Sequence, residues 1–126
     1  MDSTEIPREQ WLKFFDDFSK KHEAWIVKWE VLGRDIGDQE KTVRLPLVGI
    51  SADVKARRPS IDIIVGGRLD AHVTQVIEMP KRVWFKHPDI PGHEAIEIET
   101  DDGRVTLVTF SHFDPEQKEH LLPPKN

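Results

Sequence analysis

The chain is 126 residues long and contains no cysteine. That length suits one domain whose core closes without disulfide or metal staples, and the missing thiols exclude a thiolate zinc site, an iron–sulfur cluster and a cysteine nucleophile. Its 18 Lys and Arg stand against 23 Asp and Glu, a formal net charge of -5, which weighs against nucleic acid as a partner because that class draws its affinity from neutralising phosphates.

The opening Met1-Asp2-Ser3-Thr4-Glu5 lacks the basic-then-apolar pattern of a secretory signal. No stretch approaches the ~20 apolar residues of a membrane helix. The expectation is a soluble protein of a reducing cytoplasm, with no membrane partner.

Taken in chain order, the spacing predicts a helix over 7–21. Pro7 suits a first turn. Trp11, Phe14, Phe15 and Phe18 recur at three- and four-residue intervals, with Leu12 widening the stripe. Lys20, Lys21 and His22 favour the C-terminal end. So short a helix does not hold itself in water, so its aromatic stripe must rest on a sheet.

From Ala24 the period becomes two. Trp25, Val27, Trp29 and Val31 alternate with Ile26, Lys28 and Glu30 as in a half-buried strand. The segment 33–38 reads as a turn. A strand over 41–47 follows, in which Pro46, unable to donate to a ladder, marks an edge or a bulge. Residues 49–54 read either as a short strand or as a loop. Further strands are expected over 61–65, 71–78, 82–87, 95–99 and 104–110. Asp101-Asp102-Gly103 forms a hairpin loop with Gly103 placed for positive φ. The fold class expected is α+β: an N-terminal amphipathic helix on a strongly curved antiparallel sheet, or partly closed barrel, of about seven strands. Residues 1–113 form the domain and 114–126 a polar, frayed tail.

Several segments, in order, carry a resemblance. They are Ile6-Pro7-Arg8-Glu9-Gln10-Trp11, Phe18-Ser19, His22, Trp25, Val31-Leu32-Gly33, Asp35-Ile36-Gly37, Leu45-Pro46-Leu47 and Gly49-Ile50-Ser51-Ala52-Asp53. His72-Val73-Thr74 and the hairpin from Glu97-Ile98-Glu99 to Asp102-Gly103 complete the set. From Ile6 to Phe110 the chain resembles an uncharacterised bacterial family of small domains of unknown function. The resemblance implies a stand-alone bacterial domain and transfers no activity, cofactor or catalytic residue.

Five groups of residues carry possible chemistry, each beside a plainer reading. His87, Asp89, His93 and Glu94 offer metal-ligand types within eight residues, but at no closed-motif spacing and in a Pro/Gly-rich loop. Ser51, Asp53 and His72 supply the types of a nucleophilic triad, without the second glycine of a nucleophile elbow. Asp53 more simply caps a turn. Glu97 and Glu99 share a strand face, as paired acids do, and most simply face water. Lys55, Arg57, Arg58, Lys81 and Arg82 supply a basic patch beside Trp84 and Phe85. Trp84 and Phe85 are adjacent and so point to opposite faces of a strand. Trp25 and Trp29, with His72, could line a ligand pocket, but large aromatics by default build the core.

The reading favoured by exclusion is a non-catalytic binding or protein-interaction module, needing no cofactor, with a protein or small molecule as partner. Its alternatives are a small metal- or histidine-dependent enzyme and a weak nucleic-acid binder. Oligomeric state does not follow from the sequence.

Overall fold

The computed structural model describes residues 2–33, 37–66, 72–87, 89 and 91–112, with backbone only at 2 and 37–43. The proposed frayed tail at 114–126 lies outside them. Among the described residues the protein is one α-helix and eight strands. The strands are β1 (Asp2–Ile6), β2 (Ile26–Gly33), β3 (Gly37–Asp53), β4 (Ser60–Gly66), β5 (His72–Glu78), β6 (Pro80–His87), β7 (His93–Thr100) and β8 (Val105–Ser111). The helix α1 (Trp11–Lys21) follows a single 3₁₀ turn at Arg8–Gln10. Neighbouring strands pair antiparallel in the order β1-β6-β7-β8-β2-β3-β4-β5.

The α+β class therefore holds, but the expected barrel does not. The sheet is open and not strongly curled, and among the described residues β1 and β5 are its edges. The strand count also differs from seven. β1 has no hydrophobic alternation in its sequence and forms because β6 offers it a ladder from Asp2↔His87 to Ile6↔Val83.

The strand over 41–47 and the ambiguous 49–54 are one strand, β3. Its first part pairs with β2 and its second with β4. The register shifts between Leu47 and Gly49, the bulge expected near Pro46. Pro46 sits in a central strand rather than an edge, one residue before the β4 ladder begins, so its missing donor is not needed there.

The helix lays Trp11, Phe15 and Phe18 on the sheet, all buried. They meet Val27, Trp29, Ile50, Ile63, Ile98 and Phe110 in one core. Leu12 does not widen the buried stripe; it is 51% exposed. Ser19 fastens the helix to β3. Its Oγ accepts from Ile50 N–H at 2.8 Å and lies 2.7 Å from the Phe15 carbonyl and 3.1 Å from the Ile50 carbonyl, to which its single proton is offered.

The last hairpin forms as expected. Gly103 has φ +87°, and its N–H donates to the Thr100 carbonyl at 3.0 Å. The Thr100 hydroxyl donates to Asp102 Oδ1 at 2.6 Å, and this bond, with the Arg104 N–H, lowers the Asp102 carboxyl pKa from its ordinary value.

Candidate functional site

The densest convergence of polar and aromatic groups is at the C-terminal end of α1. His22 caps the helix and is buried. Its ring stacks on Phe18 at 3.8 Å and meets Trp25 edge-on at 4.4 Å. Phe110 of β8 packs on Phe18, and His112 meets Trp25 edge-on at 5.0 Å. His22 continues the apolar stripe of α1, being four residues beyond Phe18, and that spacing is what carries its ring inward.

His22 Nδ1 lies 2.8 Å from the Phe18 carbonyl oxygen. A carbonyl only accepts, so Nδ1 carries a proton and donates. Nε2 is paired with Glu94 Oε2 at the start of β7. A His–carboxylate dyad that works as a general base keeps one ring nitrogen for its substrate. Here both nitrogens are engaged by the fold. The pair closes the end of the helix and ties it to a strand 72 residues away. Sequence reasoning passed over His22 as a helix-end residue. Its place on the stripe was a signal; its partner had none.

The structure disperses the candidates drawn from the sequence. Of the proposed metal ligands, Glu94 turns to His22. His93, its neighbour on β7, has Nδ1 3.3 Å from Ser111 Oγ, and adjacent strand residues face opposite sides. His87 lies against Phe85 and near Thr4, and Asp89 is exposed. Among the described residues no three His, Asp or Glu side chains are grouped to hold a metal ion.

No triad assembles either. Asp53 Oδ1 accepts from the N–H groups of Lys55 and Ala56, capping the turn after β3. Ser51 is aligned through Asp62 with Val76, and His72 lies four residues further along β5, ~13 Å by strand rise.

Trp29 is a core residue, 2% exposed, whose indole N–H has no partner among the described residues. Trp25 is half-buried at the core's margin. A row of neighbours runs from Trp25 through Leu47 and Val65 to Val73. His72 lies beside its far end, three strand spacings or ~14 Å from Trp25. The three residues do not share a pocket.

The basic residues gather more closely. Pro59, after the Lys55–Arg58 turn, accepts from Met79 N–H at 2.9 Å, and the Met79 carbonyl accepts from Asp101 N–H at 3.1 Å. Lys81 and Arg82 follow Met79 at the same corner. That corner also holds Asp101 and Asp102, and Arg82 faces Glu99 at 3.9 Å. Glu97 is likewise paired, with Lys86 at 3.3 Å. The two glutamates are thus charge partners of β6. Trp84 and Phe85 do face opposite ways, Phe85 packing on Phe14 and Phe18.

Sequence reasoning also missed the edge at β5. Of the four exposed large hydrophobic side chains among the described residues, two, Val73 (42%) and Val76 (49%), lie on it. A third, Val48, sits at the β3 bulge two strands away.

An antiparallel sheet with one covering helix and exposed valines on an edge strand defines a small α+β domain. The model of a family of unknown function, DUF5335, matches residues 2–119, and the chain belongs to that family. It is 32% identical over 117 residues to an uncharacterized protein of Aquifex aeolicus, covering 93% of this chain and 86% of that one. No solved structure matches it. Among the described residues no helix is long and apolar enough to cross a membrane.

Proposed function

We propose that this chain is a non-catalytic protein-interaction module of a bacterial cytoplasm that takes on a partner strand at β5. The observation that carries this is the edge itself. β5 runs in unbroken register with β4 from Ser60↔Glu78 to Gly66↔His72, and β4 is its neighbour among the described residues. Edge strands are ordinarily blunted by bulges, prolines or lysines. β5 has none of these and exposes Val73 and Val76. Main-chain groups along such an edge supply affinity for an added strand, and alternating side chains supply selectivity. The engagement of both His22 nitrogens and the dispersal of Ser51, Asp53 and His72 favour this reading over an enzyme. The absence of cysteine agrees with a reducing compartment.

Site-specific photo-crosslinking in bacterial cells tests it. A photoreactive residue replacing Val76 is expected to yield polypeptide adducts, and one replacing Leu12 on the exposed face of α1 is not. No polypeptide adduct at Val76, or adducts to nucleic acid instead, would remove the reading.

A further inference from the structure

We propose that the strand received by β5 is β5 of a second copy, giving a two-fold dimer with one continuous sheet. This rests on reading β5 as a docking edge, and the segment's complementarity to itself carries it.

The strand reads His72-Val73-Thr74-Gln75-Val76-Ile77-Glu78. Turned end for end about Gln75, it opposes His72 to Glu78, Val73 to Ile77, Thr74 to Val76, and Gln75 to its own copy. Opposed residues in an antiparallel pair project on the same side of the sheet. The register respects this: the His72, Thr74, Val76 and Glu78 positions form one face, and Val73, Gln75 and Ile77 the other.

The two-fold axis makes each contact off the axis twice, so two imidazole–carboxylate pairs bracket a centre of Thr74–Val76 pairs on the same face. His72 and Glu78 are both exposed. They lie six residues apart on one strand, ~20 Å, and so meet only between copies. A slip of two residues shortens the pairing from seven positions to five and separates His72 from Glu78.

The other edge has no such property. Asp2-Ser3-Thr4-Glu5-Ile6 turned about Thr4 opposes Asp2 to Ile6 and Ser3 to Glu5. An isologous β5 contact also closes on itself, whereas a β5-to-β1 contact would propagate into fibres.

Sedimentation of the full chain from about 1 μM to about 1 mM, a range spanning weak to moderate association, tests the proposal. The expected result is a concentration-dependent dimer. His72→Glu sets like charges opposite one another at both ends and should weaken it about tenfold. Adding Glu78→Arg should return affinity to within about threefold of the parent. Because the chain has no cysteine, Gln75→Cys places a lone thiol on the axis. Directly opposed strand residues have Cα atoms ~4.5–5.5 Å apart, within disulfide reach. Gln75→Cys should oxidise to a covalent dimer, while Val73→Cys, ~13 Å from its own copy, should not.

Three results overturn the proposal: a monomer throughout, a dimer indifferent to His72→Glu, or equal crosslinking at positions 73 and 75. A monomeric chain that still captures another polypeptide at Val76 overturns the second copy and leaves the module reading standing. A monomer with no adduct there removes both.

Discussion

His22 owes its role to what its two nitrogens already hold. The Phe18 carbonyl occupies one and Glu94 the other. Removing either member therefore acts on stability. His22→Ala removes one of the two donors to the Phe18 carbonyl, which keeps the backbone N–H of residue 22 at 3.0 Å, strips a stacked ring from Phe18 and leaves Glu94 without its imidazole partner. A loss of about 2–4 kcal/mol is expected in urea unfolding. Combined with Glu94→Ala, the cycle should show a coupling of about 1–2 kcal/mol. Additive losses would mean that the two side chains do not interact in solution. Ser19 works in the same way, standing in for a ladder partner at Ile50.

The elements divide by where their instructions lie. The helix was visible because its stripe repeats within a few residues, although the first turn of the expected 7–21 span, Arg8–Gln10, is 3₁₀ rather than α. What the stripe could not show is its width, since the position of Leu12 beside Trp11 is compatible with burial until the sheet is placed. The two residues make a direct comparison. Phe15 is fully buried and Leu12 half exposed. Phe15→Ala should cost about 3–5 kcal/mol by chemical denaturation, and Leu12→Ala no more than about 0.5 kcal/mol. Similar losses at both would place the helix in a different rotation. β3 shows the opposite case. A proline and a glycine broke its pattern, and only a change of ladder partner explains why the chain stays extended through both.

For the molecule as a whole, charge and topology act together. The basic residues 55–58 and 81–82 come to one corner, yet Asp101, Asp102 and Glu99 come with them. A phosphate backbone would meet both signs. Fluorescence anisotropy with a single-stranded oligonucleotide at physiological salt should show no saturable binding. Binding that weakens steeply as salt is raised would restore the nucleic-acid alternative. The same scale decides what the edges are for: an interior strand such as β7 is laddered on both sides, by β6 and β8, while among the described residues β5 is paired on one.

The sequence by itself determined the helix and its buried ridge, the presence of a strand at seven of the eight positions, the Gly103 hairpin and the opposed faces of Trp84 and Phe85. Each depends on neighbours within a few residues, where the 3.6 and 2.0 periods and turn stereochemistry operate. Only the tertiary structure decided that β1 is a strand, that β3 is continuous, that His22 finds Glu94, and that β1 and β5 are the strands at the rims of the described sheet. Those outcomes depend on strand order, which brings together residues tens of positions apart and is settled by the packing of the whole chain at once.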